Sequence, residues 1–449
     1  MTPAVQRTTY DDDLFIRMDR AVGLPVVSQG IWRLRSPLTA EELTHLATQL
    51  DQTPASRRLH AARLPLARSY WTAPETPFGR VHLDAEIADD EIMSWIDAAA
   101  DVTFDLTDGP VWELRAAPLA SGGGIVSRCT SHAVGDGWMG RNAMLTALGA
   151  GTLPDYHPTR PSLLDDLRDA TGQAITIGRN LVGLAGHAWS ARAGQTEVTG
   201  AQPPVITSQT APARTDPPPP DADAHLPFAV AAIPAAQWRA TATAAGGSSN
   251  ALFIAVVVGL TVAAGRASWD DRVRVSVPMS VRDEGDTRAN STTGVSVDVP
   301  AELSKSRDLG PIRELARAAY QGADTEPSLL VRLQPLMQAL PDAAVAALSR
   351  NAATPLALAS NNGVLDPVYA GLGDPDRADS FAGRAVTPGA DPTRRSALRG
   401  ALSVWLNECG DAVTLSVSGL DPYAFPSVDA LRSIVQNECL RWGLTATQW

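Results

Sequence analysis

A two-lobed α/β architecture is predicted by three observations. The chain has 449 residues, more than one hydrophobic core usually serves. The stretch "QPPVITSQTAPARTDPPPP" at 202–220 lacks apolar periodicity and divides the chain into halves of similar length. Its four consecutive prolines favour extended polyproline II backbone and cannot continue a helix. Helical and strand periodicities alternate on both sides of this break, which calls for mixed layers in each half. The expected organisation is a first lobe over 1–200, a linker or surface crossover over 201–225, and a second lobe over 226–449.

In the first half, "LTAEELTHLATQLDQ" (38–52) reads as an amphipathic helix. Thr39 and Glu42 form a capping-box pattern, and Leu43, Leu46 and Leu50 recur at helical spacing. "DDEIMSWIDAAAD" (89–101) is a second helix. "PVWELRAAPL" (110–119) and "GIVSRCTSH" (124–132) read as strands joined by the hairpin-type link "ASGGG". Alternation puts Ser131 and His132 on opposite faces of the second strand. "MGRNAMLTAL" (139–148) reads as a helix. In the second half, "PFAVAAIP" (227–234) reads as a strand, "AAQWRATATAA" (235–245) as a helix, and "NALFIAVVVGLTVAAGR" (250–266) as a helix that Asn250 caps. "RVRVSVPMSVR" (272–282) reads as a strand up to its proline, and "GVSVDVP" (294–300) as another. "ALSVWLNECGDAVTLSVSGLD" (401–421) reads as a hairpin, and "SVDALRSIVQNECLRWGL" (427–444) as the closing helix.

Composition narrows the function. Hydrophobic residues make up 44% and charged residues 19%, with mean hydropathy -0.06, the profile of a globular protein with ample core material. The net charge of -12 repels a phosphate backbone, and no run of Lys or Arg offsets it, so nucleic acid is not an expected partner. The longest apolar run, 251–265, falls short of the ~20 residues a membrane span needs, so no transmembrane segment is expected. No secretory leader is visible in "MTPAVQRTTYDDDLF". Cys129, Cys409 and Cys439 have neither disulfide-framework nor zinc spacing. A reducing, cytoplasmic setting and no metal are expected.

The chemistry concentrates in "SHAVGDGW" (131–138). A histidine at a strand's C-terminal end projects beyond the sheet edge, and imidazole can take and return a proton near neutral pH. Asp136 either hydrogen-bonds that ring or fixes the turn by pairing with an arginine elsewhere. Gly135 and Gly137 permit a tight backbone and close ligand approach. The N–H groups of Gly137 and Trp138 are candidates to face a developing oxyanion. No GxSxG elbow is present for a serine hydrolase.

At this point the sequence resembles the HxxxDG acyltransferase superfamily. That superfamily includes chloramphenicol acetyltransferase, condensation domains of nonribosomal peptide synthetases and bacterial wax ester synthase/diacylglycerol acyltransferases. "FDLTDGPVWELRAAPL" (104–119) is similar to the segment that precedes the motif in condensation domains. "SNALFIAVVVGL" (249–260), "VPMSVRDEGDTRANSTTGVSVDVP" (277–300) and "LALASNNG" (356–363) are similar to wax-synthase blocks, in the same order. The resemblance implies two chloramphenicol-acetyltransferase-like lobes forming a pseudo-dimer around a central tunnel. The first lobe carries the HxxxDG motif. It implies His132 as general base, with Asp136 and Gly137 beside it and no acyl-enzyme. It implies an acyl thioester co-substrate, on coenzyme A or on the phosphopantetheine of an acyl-carrier protein, and a small alcohol or amine acceptor. Nothing else need be bound as a cofactor, and two fused lobes leave a monomer self-sufficient.

The resemblance also implies an arginine partner for Asp136 from the second half. Arg282 is the candidate, the alternative being a solvated strand-end charge. Trp138 matches an aromatic residue common after the motif in condensation domains, or is plain core. Ser360 and Asn361 line the tunnel or satisfy a strand end. Two positions depart from the pattern: Ser131 stands where many relatives carry a first histidine, and Ala251 stands where relatives carry the aspartate of an Asn-Asp pair. These departures turn the expectation from bulk storage lipid toward specialised lipid or natural-product metabolism. They also motivate a rival reading, a catalytically silent relative that binds an acyl or carrier-protein partner.

Overall fold

The computed structural model describes residues 5–193, 205–208, 210, 225–283, 285–322, 329–348 and 354–449. Most of the expected linker lies outside the described residues. Of its length, Val205–Ile206 forms a two-residue strand beside Arg272–Ser280.

The first half builds a five-stranded sheet. Trp112–Pro118 and Gly124–Ser131 pair as an antiparallel hairpin, as read from sequence. Gly79–Leu83 runs parallel on one side of the hairpin, and Val27–Leu34 runs antiparallel on the other. The fifth strand, Ala378–Val386, comes from far along the second half and pairs antiparallel with Val27–Leu34. Arg384 anchors it. The guanidinium donates to Gln29 Oε1 at 2.7 Å and pairs with Asp97 at 2.8 Å. It also lies 4.4 Å from the Phe228 ring centroid. The sequence division assigned this strand to the second lobe, whereas its ladder is formed in the first sheet; Gly383 N–H donates to Ser416 Oγ and Phe381 O accepts from Thr414 Oγ1, both in the second sheet.

The helix over 38–52 is observed as Ala40–Asp51, with the Thr39–Glu42 capping box formed and Leu43, Leu46 and Leu50 buried. It covers the first sheet together with Gly137–Ala147. Sequence reading passed over Tyr10–Arg20, a helix with its own capping box between Thr9 and Asp12, and the long helix Leu163–Ala193.

The second half builds an eight-stranded sheet. It includes the predicted hairpin Leu402–Cys409/Ala412–Gly419 and the predicted strands Phe228–Pro234 and Thr292–Pro300. Arg272–Ser280 does not stop at its proline. Pro278 stays paired opposite Gly294, while the parallel partner on the strand's other edge ends at Ser276. Past that point the missing N–H of proline costs the sheet little. The core of this lobe is Ser249–Ala263, buried without a break from Ala251 to Thr261. Its cap is Ser248, which accepts from Ala251 N–H, and not Asn250 as expected from sequence. Serine at N-cap satisfies a first-turn donor, and Asn250, the second residue of the helix, is left with its side chain available for other contacts. Among the described residues, no single helix is long and apolar enough to cross a membrane.

Candidate active site

The site forms where the first lobe's hairpin ends. The strand stops at Ser131, and His132 opens a single 3-10 turn, His132–Val134, that carries its ring past the sheet edge. Asp136 follows as N-cap of the helix Gly137–Ala147. Its Oδ1 accepts from Met139 N–H at 2.9 Å. Asp136 and Met139 therefore satisfy one orphan donor of that helix, while the N–H groups of Gly137 and Trp138 stand at its open first turn.

The glycines do something different from what the sequence suggested. Gly135 has φ 175°, a backbone conformation any residue adopts, although a Cβ there would lie 3.1 Å from Met139 Cγ. Gly137 starts a regular helix, is exposed, and a Cβ built on it would meet no protein atom within 4 Å. No tight turn requires either of them. The first turn of this helix is therefore open to solvent at Gly137.

Asp136 does not touch the imidazole. Its Oδ2 accepts from Arg282 Nη2 at 2.7 Å and from Ser291 N–H at 2.9 Å. Both side chains of this ion pair are 2% exposed. Arg282 Nη1 also donates to the carbonyl of Arg288 and Nη2 to that of Ala289. The Trp138 ring lies 4.9 Å from the guanidinium carbon, in cation–π range. So Asp136, Arg282 and Trp138 form one cluster that fastens the motif to the second half.

His132 is held by other residues, which sequence reasoning missed. Asn290 Oδ1 lies 3.2 Å from His132 Nδ1, and Asn290 Nδ2 donates to His132 O at 2.9 Å. Phe15, from the helix Tyr10–Arg20, stacks on the imidazole at 3.9 Å between centroids and 24° between planes. Burial is the largest influence on the imidazole and holds its pKa below the ordinary 6.5, although the Asp136 and Asp12 carboxylates push it upward. The ring is thus kept neutral, the form that accepts a proton. The signals for these residues were present: Thr9 and Asp12 have capping-box spacing, and Asn290 lies inside the 277–300 block.

Ser131 lines a hollow open to solvent, with Phe15, Val27, Val102, Phe104 and Leu106 among its walls. Phe15 is shared between this hollow and the His132 ring. Asn250 and Asn361 meet elsewhere. Asn361 Nδ2 donates to Asn250 Oδ1 at 2.9 Å, and Asn250 Nδ2 donates to Tyr320 Oη at 3.1 Å. Beside this second cluster, the carbonyl of Asn362 accepts from Arg141 of the motif helix at 3.3 Å. Ser360 sits half-buried on the same strand, Ala357–Val364.

Solved structures match the fold along almost the whole length of the chain. The condensation domain of the Monacolin K polyketide synthase MokA aligns with TM-score 0.57 at 14% identity, over 98% of this chain and 96% of that one. The chain shares its fold with condensation domains. The starter condensation domain of rhizomide synthetase RzmA, solved in complex with C8-CoA, aligns with TM-score 0.54 at 11% identity, over 99% and 96%. The wax ester synthase/diacylglycerol acyltransferase of Marinobacter aquaeolei VT8 aligns with TM-score 0.53 at 18% identity, over 98% and 100%. No family model and no curated protein sequence matches the chain. The mixed α/β, two-lobed fold expected from the sequence is therefore the one observed.

Proposed function

We propose that the protein is an acyltransferase that moves an acyl group from a thioester to a hydroxyl or amine acceptor. The single observation that carries this reading is the neutral, half-buried imidazole of His132, held beside a helix N-terminus that Gly137 leaves open. The likeness of the fold to condensation domains and to a wax ester synthase supports it.

In this mechanism His132 takes the proton from the acceptor as the acceptor attacks the thioester carbonyl. The negative charge then formed on the carbonyl oxygen is stabilised by the N–H groups of Gly137 and Trp138 and by the positive end of their helix. The tetrahedral intermediate collapses by breaking the carbon–sulfur bond, and His132 returns the proton to the departing sulfur. No acyl-enzyme forms. Asp136 and Arg282 serve by fixing the turn, and the hollow beside Ser131 and Phe15 offers apolar walls to one substrate's chain. The donor is acyl-CoA or an acyl group on carrier-protein phosphopantetheine. The protein works as a monomer in the cytoplasm.

The test is incubation of the purified protein with acyl-CoAs of increasing chain length and a pool of alcohols and amines, following free-thiol release. Release that requires both an acceptor and His132 is the expected result. Absence of release from every acyl-CoA moves the donor to a carrier protein. Absence with acyl carriers as well overturns the reading in favour of a silent acyl-binding relative.

A further inference from the structure

Three observations around Asn290 reach beyond holding a loop in place. Its side chain is completely buried. The Nδ2 atom has three oxygens around it: Asp12 Oδ1 at 3.0 Å, His132 O at 2.9 Å and Ala133 O at 3.3 Å. Turning the amide over would set its oxygen against a carboxylate and two carbonyls, all acceptors, so chemistry allows one orientation only. Oδ1 therefore faces His132 Nδ1, and an amide oxygen accepts but never donates.

Behind Asn290 stands Asp12, also completely buried. Four N–H groups converge on its carboxylate: Asn290 N at 2.9 Å and Asn290 Nδ2 on one oxygen, Thr9 N at 2.9 Å and Trp71 Nε1 at 3.0 Å on the other. None of these partners is a cation. Asp12 locks the Asn290 amide at its NH2 end, and Phe15, three residues on in the same helix, holds the plane of the imidazole.

We infer that Asp12 and Asn290 are positioning residues that set the tautomer of His132, so that the proton resides on Nδ1 and the lone pair that takes the acceptor's proton is on Nε2. The inference assigns the reactive nitrogen within the acyl-transfer reading and rests on that reading for its kinetic consequence. The tautomer itself does not depend on it. Asp12 acts at one remove, through the amide, and its helix contributes both the lock and the stacking ring.

The experiment is nitrogen-15 NMR of the full chain labelled at histidine, at a pH where the imidazole is neutral, with the His132 signal assigned by its loss in His132→Ala. The wild-type ring is expected to show a protonated Nδ1 and a bare Nε2. A bare Nδ1 overturns the inference, whatever the protein does to thioesters. Asn290→Leu removes the side-chain acceptor at similar volume, leaving the ring only its own backbone carbonyl, and is expected to shift His132 toward mixed tautomers. In a substrate assay it is expected to lower kcat at least tenfold with KM little changed. Unchanged tautomers in a folded Asn290→Leu protein overturn the inference as well. Should that variant fail to fold, the wild-type spectrum alone decides.

Discussion

The two lobes close their hairpins with the same device, and the proposed acyl transfer uses only one of them. After Gly124–Ser131 comes Asp136, and after Ala412–Gly419 comes Asp421. Each aspartate uses one oxygen on the backbone N–H groups that follow it: Met139 for Asp136, and Tyr423 and Ala424 for Asp421. Each uses the other oxygen on a buried arginine at 2.7 Å, Arg282 for the first and Arg266 for the second. Each arginine also donates to backbone carbonyls. The first turn inserts His-Ala-Val-Gly between strand and aspartate, whereas the second inserts only Leu420. The aspartate–arginine pair is thus a way of ending a hairpin, and in the proposed mechanism it is the histidine that turns one such ending into a site.

Removing His132 should separate the two turns most sharply. His132→Ala is expected to cut kcat by roughly 10²–10⁴-fold while its urea midpoint stays near wild type. Next, Asp136→Ala and Asp421→Ala should each cost about 3–5 kcal/mol of stability, because each leaves a buried arginine without its carboxylate. Urea unfolding reads that cost for both. In the fraction still folded at low temperature, only Asp136→Ala is expected to lose transfer. Equal losses in both would show that the second turn reaches the site. A smaller effect of the same kind is expected from Trp138→Leu, which removes the ring over Arg282 and should cost about 0.5–2 kcal/mol.

The pH profile sharpens the contrast further. The folded pKa of His132 lies below 6.5, so the neutral base persists and the acid limb of kcat/KM should fall below pH 6.5. The unfolded chain takes up a proton near 6.5 while the folded site does not. Stability is therefore unaffected by this group above that pH and declines as pH falls beneath it. Asp421→Ala should leave the acid limb where it is. The smallest change is Gly137→Ala. Nothing in the protein occupies the space of the new methyl, so stability should rise by up to about 1 kcal/mol, while kcat/KM falls because the methyl faces the approaching carbonyl.

What could be read from sequence followed the range of the contacts involved. Elements specified by their own residues were legible: the Thr39–Glu42 box, the unbroken apolar run of Ser249–Ala263, and both hairpins. The Asp136–Arg282 pair was expected from resemblance, and the two side chains meet at 2.7 Å. The misses have physical causes. Asn250 was taken as a cap because asparagine is a good one, but Ser248 two residues earlier has the extended backbone that a cap needs. Pro278 reads as a strand stop unless the unpaired edge beside it is known. Asn290, Asp12 and Phe15 gather around His132 only because a helix at the start of the chain and a loop of the second half converge on one turn. Strand Ala378–Val386 carries little alternation of its own, and its place is decided by Val27–Leu34, a partner far back in sequence.

That strand has a consequence for how the protein is made. Val27–Leu34 and its neighbours leave the ribosome early, yet the strand that closes their edge follows roughly 340 residues later, tens of seconds at about 5–20 residues per second. Throughout that interval Val27–Leu34 presents an unpaired row of N–H and C=O groups beside Ile31 and Trp32. The nascent first half therefore waits, sticky along one side, for the second half to be synthesised, and shielding that edge becomes a task for chaperones.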